Sequence, residues 1–142
     1  MQEYIDFARN NFIIVAGFFA VLGFIIKTEI SRLTQKYKQI GVNAAVMILN
    51  KDNVLALDVR EDKELNDAGM IKGARHITLG QLPEKMAELN KFKQQPVLVY
   101  CRSGSRSGHA CQLLTKAGFE DVYNLAGGIM AWESANLPLS KR

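Results

Sequence analysis

The longest feature of the hydropathy pattern is an unbroken apolar run from Phe12 to Ile26. It has no polar face, so it predicts a helix that is apolar all round, unlike the amphipathic helices of a globular surface. Such a helix covers roughly 22 Å, short of a hydrocarbon core of about 30 Å. Asn10, Asn11 and Thr28 can occupy the interface and Lys27 can extend its amine to water, which completes a span over residues 12–28. A cleaved signal peptide would start basic and end at small residues. Here Glu3 and Asp6 stand before the run against Arg9, and Lys-Thr-Glu-Ile-Ser follows it. The run therefore reads as an uncleaved single-pass anchor behind an extracytoplasmic N-terminus, residues 1–11. After it, Ile30, Leu33 and Tyr37 repeat at helical spacing and predict a stalk over residues 29–39, or a plain extension of the membrane helix.

From residue 40 onward the pattern shortens and alternates. Val42–Leu49 predicts a helix with Asn43 as a candidate N-cap. Val54–Leu57 is a buried-strand run ending at Asp58, and the polar stretch Glu61–Asp67 is helix-prone. A short strand is expected around His76–Thr78 and a helix over Leu82–Leu89, with Pro83 in its first turn. Then come a strand at Val97–Tyr100, a helix over Ser107–Ala117 ended by Gly118, a strand at Val122–Tyr123, and a last helix after Gly127-Gly128. Continuous apolar strands alternating with helices imply an α/β fold, a parallel sheet with helices on both faces, here over residues 40–142. In such sheets ligands bind beyond the carboxyl ends of the strands, where Asp58 and Cys101 both fall.

Composition refines this picture. With 142 residues, 48% hydrophobic and 23% charged, the chain has room for one domain and is not disordered. The net charge of +4 is uneven: Lys27, Arg32, Lys36 and Lys38 oppose only Glu29 just after the apolar run. Basic residues there act as a membrane flank, and the positive-inside rule places the main domain in the cytoplasm. No interleaving of basic and aromatic residues suggests a nucleic-acid partner. The two cysteines lie in one loop–helix unit, which argues against a disulfide framework. No cysteine or histidine pair has metal-ligand spacing, so neither metal nor cofactor is expected.

The chemistry concentrates in Cys101-Arg102-Ser103-Gly104-Ser105-Arg106-Ser107. A cysteine between a strand end and a helix N-terminus meets unpaired N–H groups and the positive end of the helix dipole, both of which favour thiolate. Glycine and small residues let successive amides point inward as an anion nest. Arg102 and Arg106 add positive charge. The segment describes a thiolate that attacks an anionic sulfur or phosphorus compound and cradles it with amides.

These residues resemble the rhodanese family of sulfurtransferases. The likeness covers about residues 40–138. It runs through Leu57-Asp58-Val59-Arg60, Gly69-Met70-Ile71-Lys72-Gly73-Ala74, Val99–Ser107, Ala117-Gly118-Phe119, Leu125-Ala126-Gly127-Gly128-Ile129, Trp132 and Leu137-Pro138-Leu139. Met70 stands where the family commonly has histidine. The layout of anchor, basic stalk and one domain is similar to that of bacterial membrane-anchored single-domain rhodaneses, which implies the inner membrane. The resemblance implies that Cys101 takes a sulfane sulfur from a donor, becomes a persulfide, and passes the sulfur to a thiol or cyanide-like acceptor. Six residues from Cys101 to Arg106 are similar to the sulfurtransferase class, the related phosphatases having a longer loop. Arg102, Ser103, Gly104, Ser105, Arg106 and Ser107 are then the substrate-binding loop, with Ser107 alternatively a helix cap. Asp58 and Arg60 are expected as a supporting pair. Cys111, His109 and Trp132 read as a buried helix residue, a surface residue and core packing. The alternative is a membrane-tethered interaction module that recruits a membrane protein and whose chemistry is incidental.

Overall fold

The apolar run and its flanks wind into helix, and the alternating segments beyond them build a sheet. The structure, a computed structural model, describes residues 1–33 and 35–141 and divides into units spanning residues 1–35 and 36–142. Thr34, within the expected stalk, lies outside the described residues.

The first unit holds α1 (Gln2–Asn10) and α2 (Phe12–Leu33). Asn11 separates them with a non-helical φ of −119°. Its side-chain amide donates to the carbonyl of Phe7 at 3.0 Å. α2 continues seven residues past the apolar run, for a total of 22 residues and roughly 33 Å. Residues Phe12–Ile30 have a mean hydropathy of 2.1 and none of them is buried, so this helix is long and apolar enough to cross a membrane.

The second unit is a five-stranded, all-parallel sheet: β1 (Lys38–Ile40), β2 (Leu55–Asp58), β3 (Arg75–His76), β4 (Val97–Tyr100) and β5 (Val122–Leu125), in the order β1-β5-β4-β2-β3. Helices α3 (Val42–Leu49), α4 (Asp62–Ala68), α5 (Leu82–Lys85), α6 (Ser105–Lys116) and α7 (Gly128–Ser134) connect and cover it. Side chains alternate across each strand. Leu55, Leu57, Val97 and Val99 pack with Ala110, Cys111 and Leu114 of α6 on one face. Leu98, Tyr100 and Leu125 pack with Ala45, Ile129 and Trp132 of α3 and α7 on the other. Both faces are covered, which is why the central strands are continuously apolar.

Three details differ from the sequence pattern. Lys38 and Gln39, expected in the stalk, belong to the edge strand β1 and pair with Tyr123 and Asn124 of β5, while Tyr37 is buried in the core. A three-residue edge strand with exposed polar side chains carries no readable alternation, and Tyr37 just before it falls in the spacing of a helical stripe. Gly41 rather than Asn43 caps α3, because the chain leaves β1 extended and turns into helix directly. The helix expected over 82–89 is α-helical only to Lys85 and continues as a 3-10 segment over Met86–Phe92.

Candidate active site

β4 delivers Cys101 to the carboxyl edge of the sheet with its side chain 1% exposed. Gly104 then takes a left-handed conformation, φ 99°, and serves as the N-cap of α6. The helix therefore begins at Ser105, two residues earlier than the sequence pattern predicts, and Ser107 lies inside its first turn. Freed from capping, the Ser107 hydroxyl donates to Cys101 Sγ at 3.3 Å. The Gly104 N–H donates to the same sulfur at 3.1 Å. Burial pushes the Cys101 thiol up, but the Ser107 hydroxyl and the amides of Ser107, Gly104 and Ser103 outweigh it and hold it below its ordinary value. A buried sulfur whose hydrogen-bond partners are all donors is stabilised as an anion.

The loop is held from behind by α7. The N–H groups of Ile129 and Met130 donate to the carbonyls of Cys101 and Arg102 at 2.8 and 3.2 Å. With these carbonyls fixed outward, the following amides point inward. Gly128 permits this approach: a Cβ there would stand 2.5 Å from both carbonyl oxygens. From β5, the fully buried Asn124 side-chain amide donates to the Gly104 carbonyl at 3.0 Å and to Gln39 Oε1 at 3.3 Å.

Charged pairs frame the loop. Asp58 and Arg60 form a buried ion pair at 2.6 Å, and Arg60 Nη2 also donates to the Gly69 carbonyl at 2.6 Å. The Tyr100 hydroxyl accepts from the Ile71 N–H at 3.1 Å. Arg106 makes a bidentate pair with Glu64, both contacts 2.7 Å. Glu64 also accepts from the Glu61 N–H at 3.0 Å, closing the N-terminus of α4. Hydrogen bonds from Arg106 hold the Glu64 carboxyl at about 2, and the same pair, with a smaller contribution from Cys101, raises the Arg106 guanidinium. Arg102, Ser103 and Ser105 are exposed. A cavity of about 390 Å³ opens beside Arg102, lined also by Arg60, Glu64, Asp67, Ile129 and Glu133.

Residues 43–135 match the rhodanese-like domain family. The chain belongs to the rhodanese-like family. It is similar to YibN of Escherichia coli K12, 31% identical over 140 residues that cover 98% of this chain and 97% of that one. It is also similar to the putative sulfurtransferase YtwF of Bacillus subtilis, 44% identical over 102 residues, 71% of this chain and 95% of that one. The crystal structure of a rhodanese-related protein from Thermoplasma volcanium superposes with a TM-score of 0.64 at 31% identity, covering 75% of this chain and all of that one. The rhodanese family and its sulfurtransferase relatives support a sulfurtransferase-like function.

Within this rhodanese domain the structure brings Ser103, Gly104 and Ser107 to the Cys101 sulfur, leaves Arg102 and Ser105 exposed, and places Asp58 and Arg60 as a buried pair at the end of the neighbouring strand. Two expectations change in detail: Arg106 is already bound to a carboxylate, and Ser107 contacts the thiol instead of capping a helix. Cys111 is buried on α6, and its thiol donates to the Tyr123 carbonyl at 3.7 Å. His109 is exposed, and the Trp132 indole is core, donating to the Pro138 carbonyl at 3.2 Å. The sequence pattern missed Glu64, Asn124 and Gly128 as parts of this arrangement. For Gly128 a signal existed, the Gly127-Gly128 pair ahead of a helix. Met70, which departs from the family pattern, pairs with Ser140 through two backbone hydrogen bonds of 2.9 and 2.8 Å, so the tail ties down the segment that receives Arg60.

Proposed function

We propose that this chain is a membrane-anchored sulfurtransferase that carries sulfane sulfur as a persulfide on Cys101. The observation that carries the reading is the buried Cys101 sulfur facing the Ser107 hydroxyl and loop amides. Cys101 thiolate attacks the outer sulfur of a donor R–S–SH. The new S–S bond forms as the old one breaks, R–S⁻ leaves with the electron pair, and the protein holds Cys101–S–SH. An acceptor thiolate or cyanide then attacks the outer sulfur and Cys101 leaves as thiolate, poised by the same donors. The loop from Arg102 to Ser107 binds the transferred sulfur through amides and the Ser107 hydroxyl, while Asp58 and Arg60 support its floor. In this reading residues 12–28 cross the bacterial inner membrane, residues 1–11 lie outside, and the basic flank holds the domain at the cytoplasmic face.

Intact mass of the full chain before and after incubation with cysteine persulfide tests the chemistry. One added sulfur, removable by reductant and absent in Cys101→Ser, is expected, with transfer to cyanide lost in the same variant and its thermal melting retained. Sulfur loading that survives in Cys101→Ser sinks the assignment.

A further inference from the structure

Two of the three arginines that frame the loop are already neutralised. Arg60 is committed to Asp58 and Arg106 to Glu64. Arg102 forms no ion pair among the described residues. The cavity beside Arg102 then adds carboxylates: Asp67 and Glu133 line it, exposed and without an ion pair among the described residues. Its lining sets Arg60 and Arg102 against Glu64, Asp67 and Glu133. Including the closing partners Arg106 and Asp58, three cations face four anions. Amides serve a single sulfur well, and this cavity borders Cys101 through Arg102, its neighbour in sequence, and Ile129, which is hydrogen-bonded to its carbonyl, so it is the space we assign to the bulky charged remainder of a donor.

We propose that Glu64, together with Asp67 and Glu133, sets donor specificity. By holding Arg106 in a two-pronged pair, Glu64 withdraws one of the two loop cations from the substrate and leaves Arg102 as the other. The site then takes a persulfide whose remainder carries an ammonium group in preference to dianionic thiosulfate. The inference rests on the sulfurtransferase reading. Both donors perform the same exchange at Cys101. Thiosulfate would give Cys101–S–S⁻ and release sulfite dianion, so two negative charges must enter and leave a mouth that already has a carboxylate excess. An amino-acid persulfide brings its ammonium to Asp67 and Glu133 and leaves as a thiolate.

The test compares sulfur loading of the full chain in detergent from thiosulfate and from cysteine persulfide at low ionic strength. Glu64→Gln keeps an amide oxygen for the α4 cap, since glutamine also serves that position, but removes the charge on Arg106. The ratio of kcat/KM for thiosulfate over cysteine persulfide is expected to rise about tenfold, on the scale of one charge acting on a dianion near the surface. A folded Glu64→Gln protein with an unchanged ratio overturns the proposal, because a purely structural role would affect both donors alike. If that variant melts early, Asp67→Asn provides the same test from an exposed position that holds no ion pair. It should raise the ratio about threefold, and no change there overturns the proposal as well. Loading of Cys101 by neither donor removes the sulfurtransferase reading itself, an outcome distinct from loading with an unshifted ratio.

Discussion

Cys101 and Cys111 are both buried, and their neighbours separate them. Burial, and then the charge of Cys101, push the Cys111 thiol up, and its nearest polar atom is a carbonyl oxygen to which it donates. The hydrogen-bond partners of Cys101 are all donors, and they reverse the same burial. Ser107 is the side-chain part of that reversal. Ser107→Ala should therefore move the alkylation midpoint of Cys101 to higher pH and slow alkylation at neutral pH by about tenfold or more, the worth of one hydrogen bond to a charged group. The measurement is iodoacetamide rate against pH with Cys111→Ala in the background. An unmoved midpoint would show that the backbone amides suffice. Residue-scale chemistry was legible where it is contiguous, as from Cys101 to Ser107. It was hidden where the partner is remote: Glu64 lies 42 positions from Arg106, and Asn124 lies 20 from Gly104.

At the scale of elements, the site is a contract among β4, α6, α7 and β5, and α7 has the least tolerance. Gly128 sits at φ 58° with two carbonyl oxygens where a side chain would be. Gly128→Ala combines left-handed strain with overpacking and should cost about 3 kcal/mol. It should also displace the Cys101 and Arg102 carbonyls, so the alkylation midpoint rises along with the loss in denaturant stability. A variant of wild-type stability and unaltered thiol reactivity would remove α7 from the account. The helices and inner strands were legible because buried elements must keep their apolar periods: β4 and α3 fall where the pattern places them. The edge strand β1 was not legible, since one side of it faces water and its identity is fixed by pairing with β5. The start of α6 was displaced for a similar reason. The left-handed Gly104 lies close against the Leu125 carbonyl and the Gly127 amide, which a Cβ there would meet at 3.2 and 3.4 Å and which are distant in sequence.

At the scale of the whole molecule, β1 decides where the domain begins. Tyr37 is buried, Lys38 to Ile40 complete the sheet, and Gln39 braces Asn124 behind the loop. A chain starting at Lys36 retains all of these. One starting at Gly41 loses the edge strand, the tyrosine and the brace together. The shorter chain should be destabilised by about 3 kcal/mol or more, since burial of one large side chain alone contributes about 1.5–3 kcal/mol. The chain from Lys36 should remain soluble, melt as a cooperative unit, and load sulfur on Cys101 at the rate of the detergent-solubilised full chain, because no residue before Lys36 contacts the sulfur in the proposed chemistry. Its location should differ: the full chain should sediment with membranes in high salt and in carbonate, and the chain from Lys36 should stay in the supernatant. Recovery of the full chain in the supernatant would refute the anchor while leaving the chemistry standing. Equal stability of the two truncations would refute the role given to β1. If both predictions hold, residues 12–28 set where sulfur is delivered, and the sheet that begins two residues after Lys36 sets how; the anchor then acts by raising the local concentration of the domain at the membrane face.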